Sequence, residues 1–129
     1  MRLLIDTHIL LWALLKTSRL TNEFRAILQD RSSTVVFSAA SIWEIAIKRG
    51  LGRADFQVDP ERVAHAARRI GFTELPVHAA AAARVASLPL LHRDPFDRLL
   101  IAQALSEPMH LYTADPQLKP YSELVVLIS

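Results

Sequence analysis

The chain of 129 residues has no cysteine. Disulfide staples, thiolate metal sites and a cysteine nucleophile are thereby excluded, and the absence fits a reducing compartment. Only three glycines are present, and they form neither a phosphate-cradling loop nor a Gly-x-Ser-x-Gly nucleophile elbow. The histidines show no zinc-binding pattern. Lysine is scarce: twelve of the fifteen basic residues are arginine and the formal net charge is only +2. The isoelectric point near 9.4 therefore reflects a small arginine surplus with little else titrating near pH 9. Arginine suits phosphate recognition, so the charge permits a nucleic-acid substrate without requiring one. Long apolar runs are also missing. The start, Met1 to Leu10, is interrupted by Asp6 and His8, and no small-residue cleavage site follows it. No stretch reaches the roughly 18–20 uninterrupted apolar residues of a membrane span. The expectation is a soluble, cytoplasmic protein with no membrane association.

About half the residues are apolar and 22% charged, which is the balance of a globular protein rather than a disordered one. The length fits one domain over residues 1–129. Residues 2–5 read as a short buried strand, followed by Asp6-Thr7 and an apolar helical stretch through Leu15. A second helix is expected from Asn22 to about Gln29, with Thr21 as N-cap. Thr34 to Phe37 is a strand by its β-branched and aromatic content. Ser38 or Ser41 then caps a helix that runs to Arg49 and stops at Gly50-Leu51-Gly52. Asp59-Pro60 starts a helix that ends at Gly71. Thr73 to Leu75 is a short strand, with Pro76 limiting its pairing. An alanine-rich helix covers roughly His78 to Leu88, and Asp94-Pro95 opens another that reaches about Ser106. Strands follow at His110–Thr113 and Leu124–Ile128. Short strands without alternation, separated by helices, define an α/β fold with a parallel sheet covered on both faces. Sheet order is not fixed by this pattern.

Thirteen carboxylates are present, so position rather than number is informative. Asp6 directly follows the first strand, and Asp115 comes two residues after the strand at 110–113. In an open α/β sheet ligands bind beyond the carboxyl ends of the strands, where both acids should face. Asp6 lies between a core strand and an apolar helix, an expensive place for a charge unless it is paired or binds a cation. It is also a good helix cap, but the apolar surroundings favour the ligand role. For Glu44 two readings stand level: a functional acid on an apolar helix, or the end of a Ser41-x-x-Glu44 capping box with an ion pair to Lys48. Asp94, Pro95 and Asp97 form an acidic helix start, in which Asp94 looks structural and Asp97, kept ionised by the helix dipole, functional. Asp115, taken alone, starts an Asp-Pro turn. Mg²⁺ and Mn²⁺ prefer clustered carboxylates, and metal-assisted phosphoryl chemistry is what the missing motifs leave.

Leu4-Ile5-Asp6-Thr7-His8 through Trp12, Ser41-Ile42-Trp43-Glu44 through Lys48, His92-Arg93-Asp94-Pro95-Phe96-Asp97 through Ala104, and Leu111-Tyr112-Thr113-Ala114-Asp115 closely resemble, in order, the four motif blocks of PIN-domain ribonucleases. The subgroup most resembled is the VapC-type toxins, and the likeness spans residues 2 to about 128. It implies a three-layer fold with a central parallel sheet of four to five strands, and a Mg²⁺- or Mn²⁺-dependent endoribonuclease. By this resemblance Asp6, Glu44, Asp97 and Asp115 are the four catalytic and metal-binding acids, while Thr113 and Asp94 match secondary positions. It also implies a homodimer, an RNA substrate and a cognate antitoxin that blocks the site. A PIN-like nuclease acting on structured DNA or in RNA processing, and a non-enzymatic domain of the same fold, are the alternatives. His8 and His92 fall near the expected site, where a packed or hydrogen-bonded role is favoured over phosphate contact. Arg98 is read equally as a charge stabiliser or a solvated helix residue. Trp12 and Trp43 are expected in core or interface rather than as base-stacking platforms.

Overall fold

The computed structural model describes residues 1–128. Five strands, β1 (Arg2–Ile5), β2 (Thr34–Ser38), β3 (Thr73–Leu75), β4 (His110–Thr113) and β5 (Val125–Leu127), are connected through helices. They form one wholly parallel sheet in the order β3-β2-β1-β4-β5. The six α-helices are α1 (Thr7–Leu15), α2 (Asn22–Gln29), α3 (Ala39–Gly50), α4 (Pro60–Arg69), α5 (Ala79–Arg84) and α6 (Pro95–Ser106).

Successive strand side chains point to opposite faces, and both faces are dry. Leu3, Ile5, Val35 and Phe37 join Ile9 and Leu10 of α1, Phe24 of α2, Ile45 of α3 and Val63 of α4 in one core. Leu4, Val36, Leu111 and Val125 pack with Leu100, Ile101 and Ala104 of α6 in a second. This double burial explains why the strands read as unbroken apolar runs. Each fully buried Leu or Ile contributes about 1.5–3 kcal/mol, so the central strand β1 is anchored from both sides.

The chain lays β2 and β3 on one side of β1, then returns to place β4 on the other. The order therefore reverses between β1 and β4, where parallel sheets open a crevice beyond their carboxyl ends. Asp6 leaves β1 at that point, and its amide donates to the Tyr112 carbonyl of β4 at 3.1 Å.

Several boundaries differ from the sequence expectation. Ser38, not Ser41, caps α3, accepting from the Ala40 amide at 3.0 Å. Ser41 is buried within the helix, so Ser41-x-x-Glu44 is not a capping box. The alanine-rich helix stops at Arg84 and tightens into a 3₁₀ turn over Val85–Ser87. Arg98 supplies donors to the carbonyls of Val85, Leu88 and Pro89 there, replacing the bonds that a continued helix would make. After β4, Asp115 caps an unforeseen 3₁₀ segment, Pro116–Tyr121. The final strand is shorter than residues 124–128 suggested. Gly71, with φ 99°, closes α4 where a side chain would be strained. Among the described residues, no helix is long and apolar enough to cross a membrane.

Candidate metal centre

Asp6 is 5% exposed, and two hydrogen bonds hold it. Its Oδ1 accepts from the Ile9 amide at 2.9 Å, capping α1, and its Oδ2 accepts from the Thr113 hydroxyl at 2.5 Å. Burial pushes the Asp6 carboxyl above its ordinary range, with the Glu44 charge adding to the rise. The Thr113 and Ile9 hydrogen bonds and the His8 charge oppose it. Thr113, in turn, accepts from the Asp115 amide at 3.0 Å. One hydroxyl thus ties the acid after β1 to the acid after β4.

Asp94 caps α6, its Oδ1 accepting from the Phe96 and Asp97 amides at 2.8 and 3.3 Å. This is the division expected from the Asp-Pro-Phe-Asp start: Asp94 closes the helix and Asp97 is left free for other partners. Burial first, and then the charge of Asp94, push Asp97 up to about 7. Asp6 and Glu44 add to the rise, while the hydrogen bond with His92 opposes it. Asp97 therefore lies within the field of the other acids.

His92 Nε2 sits 3.0 Å from Asp97 Oδ2 and 3.8 Å from Asp115 Oδ2. One donor atom from each of these three residues lies within 4.8 Å of the others. Sequence reasoning placed His92 near the site but favoured a packed or hydrogen-bonded role; the structure gives it the hydrogen bond and places it among the acids. The signal was its position five residues before Asp97, on the segment leading into α6.

Glu44 is 2% exposed. Its Oε1 accepts from the Thr7 hydroxyl at 2.5 Å and its Oε2 from Lys48 at 2.5 Å. Lys48 also lies 3.5 Å from Asp94. Burial lowers the Lys48 pKa, but the bonds and charges of Glu44 and Asp94 outweigh it and leave the ammonium held above its ordinary value. The ion pair and the functional location of Glu44 thus coexist. The donors of Glu44 and Asp6 lie outside the His92–Asp97–Asp115 group, although both acids act on Asp97 electrostatically.

The flanking candidates divide differently. His8 is exposed, stacks edge-on against Phe56 and lies 3.7 Å from Asp55. Together with Trp12, Arg19 and Asp55 it lines a groove of about 470 Å³. Trp43 is 58% exposed, which removes it from the core but not from an interface, and its ring meets Phe96 edge-on. Arg98 is neither solvated nor aimed at the acids: it binds three loop carbonyls and the Tyr121 hydroxyl.

The donor set fits a divalent cation. Two carboxylate oxygens and one imidazole nitrogen are within reach of one ion, and a cation there would offset both the burial and the like charges that raise Asp97.

This arrangement, acids after β1 and β4 facing an acidic helix start across the switch point of a parallel sheet, is that of a recognised fold family. The PIN domain profile matches residues 3–124, and the chain belongs to the PIN domain family; PIN domains are generally nucleases and generally use divalent metal ions. Among solved structures, it is similar to a chain of VapBC2 from Rickettsia felis, determined bound to a DNA fragment from their promoter. That likeness has a TM-score of 0.69 at 16% identity and covers 98% of this chain and 97% of the other. A chain of FitAcB from Neisseria gonorrhoeae is similar with a TM-score of 0.60 at 18% identity, covering 97% and 96%. At these identities the likeness is one of fold. Comparison with curated protein sequences finds no match.

Proposed function

We propose that the chain is a Mg²⁺- or Mn²⁺-dependent endoribonuclease, acting in the cytoplasm as the toxin of a toxin–antitoxin pair and formed by one PIN unit over residues 1–129. The observation that carries this reading is the convergence of Asp97 and Asp115 on one small volume beside Asp6, at the switch point of a PIN fold. Asp97 and Asp115 would hold the ion, with Asp6 next to them. A bound divalent ion would lower the pKa of a water and neutralise a phosphodiester.

The chain's own residues prepare that site. Thr113 fixes the Asp6 carboxylate through a 2.5 Å bond, and Asp94 sets the start of α6 so that Asp97 faces the other acids. Glu44, the fourth acid, has both oxygens engaged by Thr7 and Lys48; it anchors the Lys48 charge beside the site and adds to the negative field on Asp97. The acids alone would repel a phosphate, so binding of a nucleic-acid strand and of the ion are expected to depend on each other.

The fold likeness to VapBC2 and FitAcB supports an antitoxin as the protein partner. The exposed apolar positions Trp43 and Ile47 on α3 and Leu51 just past its end support a homodimer. Both are carried by resemblance and surface character.

The test incubates wild type and Asp6→Asn with a mixed RNA pool in Mg²⁺, Mn²⁺ or EDTA, alongside structured and single-stranded DNA. Wild type cleaves RNA with either metal and EDTA abolishes cleavage; folded Asp6→Asn is inactive. Equal cleavage by the two proteins overturns the site assignment, and preferential cleavage of DNA overturns the substrate.

A further inference from the structure

The geometry points to His92 as a nitrogen ligand of the metal in this centre, which makes the site a mixed imidazole–carboxylate site that prefers Mn²⁺ to Mg²⁺. The inference rests on the metal-dependent reading above and goes beyond its four acids.

Three observations converge on His92. The first is its spacing: Nε2 lies 3.0 Å from Asp97 Oδ2 and 3.8 Å from Asp115 Oδ2. Two ligands of one cation with bonds of about 2.1 Å sit about 3 Å apart when adjacent and about 4.2 Å when opposite. Both separations fall within that span. The second is burial: the side chains of His92 and Asp97 are each 19% exposed, so neither is a freely solvated surface group.

The third is how the backbone that carries the imidazole is held. His92 lies on a loop, which by itself would place a ligand loosely. Here the Tyr121 hydroxyl accepts from the backbone amides of Leu91 at 3.1 Å and His92 at 2.8 Å. Arg98 donates to the same hydroxyl at 3.0 Å and to the Pro89 carbonyl at 2.8 Å. Arg98 lies on α6 next to Asp97, so the loop is locked to the helix that carries the acid. Tyr121 belongs to the 3₁₀ segment that Asp115 caps. One Arg–Tyr pair thereby fixes His92 relative to both of its acidic neighbours. Loosening this backbone anchor would therefore let the ring drift from the acids.

The chemistry then discriminates between cations. Mg²⁺ favours oxygen ligands and retains water, whereas an imidazole donor moves a site toward the transition metals, and affinity rises from Mn²⁺ onward along that series.

The test uses the full chain and Mn²⁺ alone as the probe. Electron spin echo modulation of bound Mn²⁺ reports directly whether an imidazole nitrogen is coordinated. Wild type is expected to show ¹⁴N modulation that His92→Gln loses and His8→Asn keeps. By calorimetry, His92→Gln lowers Mn²⁺ affinity about 10- to 100-fold and Mg²⁺ affinity much less. Tyr121→Phe, which keeps the imidazole but removes its anchor, lowers Mn²⁺ affinity in the same direction. The wild-type spectrum decides the matter even if a variant fails to fold. Bound Mn²⁺ that Asp97→Asn abolishes, but that shows no ¹⁴N modulation in wild type, overturns ligation by His92 and leaves the metal centre standing. Modulation that survives in folded His92→Gln also overturns it. Absence of any Mn²⁺ binding to wild type overturns the metal reading itself, and this inference with it.

Discussion

Without a metal, the candidate centre should make the protein less stable as the pH rises from 5 to 7. Asp97 is raised from its ordinary 3.8 to about 7, by burial and then by the charge of Asp94. For such an acid the unfolded chain ionises first, while the folded chain keeps its proton. Stability is therefore whole below the unfolded value, falls as the pH climbs from about 4, and levels off once the folded group also ionises near 7. Each pH unit inside that window is worth about 1.4 kcal/mol, so the total reaches roughly 4 kcal/mol, and roughly 2 kcal/mol of it falls between pH 5 and 7. Asp6, raised by burial, acts with the same sign. Asp55, by contrast, is lowered; its stabilisation is lost only as the pH drops below its ordinary range, outside this interval.

The assay is urea unfolding in EDTA at pH 5, 6 and 7. With a slope of about 1–3 kcal/mol per molar urea for a chain of this size, the midpoint should fall by about 1 M across the interval. Asp97→Asn removes the titrating group and should flatten most of that dependence. Mn²⁺ at about a hundred times its dissociation constant should restore about 2.7 kcal/mol at pH 7. A midpoint in EDTA that stays level or rises from pH 5 to 7 refutes the reasoning. An Asp97→Asn protein that keeps the full wild-type slope refutes it as well, because the strain would then lie elsewhere.

Three further perturbations test the surrounding network. Lys48→Met leaves Glu44 buried without its cation and should cost about 3–5 kcal/mol by denaturant unfolding, with Glu44→Gln in the same chain recovering most of the loss. Thr113→Val removes the donor to Asp6 while nearly keeping volume; it should cost about 1–3 kcal/mol and weaken Mn²⁺ binding measured by calorimetry. Trp43→Glu loses the edge-on contact with Phe96, so monomer stability should fall by about 0.5–1.5 kcal/mol, while light scattering should show the proposed homodimer dissociating.

The elements were legible because local chemistry and tertiary need agree at them. Thr21, Asp59-Pro60 and Asp94-Pro95 each cap the helix their type predicts. The apolar strands announced a sheet buried on both faces. Sheet order was not legible, since β1, β2 and β4 share the same buried character and only the exposed edge strand β3 stands apart. Ser38 and Ser41 were indistinguishable as caps because both precede an apolar helix, and the three-residue difference is set by where β2 ends. Arg98 was unreadable for a related reason: its carbonyl partners come from a loop whose course depends on Pro89 and Tyr121. His92 carried a weak signal, its place just before the acidic helix start. No periodicity links it to Asp97, because the two do not share a helix.

Asp6 shows why the site could be read only in part from sequence. A cap and a ligand were weighed as alternatives, yet the structure makes Asp6 the cap of α1 and also stations it at the switch point. An ionised carboxylate offers about four acceptor positions; the Ile9 amide and the Thr113 hydroxyl take two. The remaining capacity is compatible with a cation nearby. Those two hydrogen bonds are also what offset burial and draw the Asp6 carboxyl toward its charged form. Capping is thus the means by which a charge can be kept in so apolar a place. The same logic separates Asp94 from Asp97: one acid spends an oxygen on helix amides so that the next, three residues on, can face the other acids. Where a helix start lies at the carboxyl end of a parallel sheet, structural and functional roles for an acid are not competitors, and sequence spacing alone cannot choose between them.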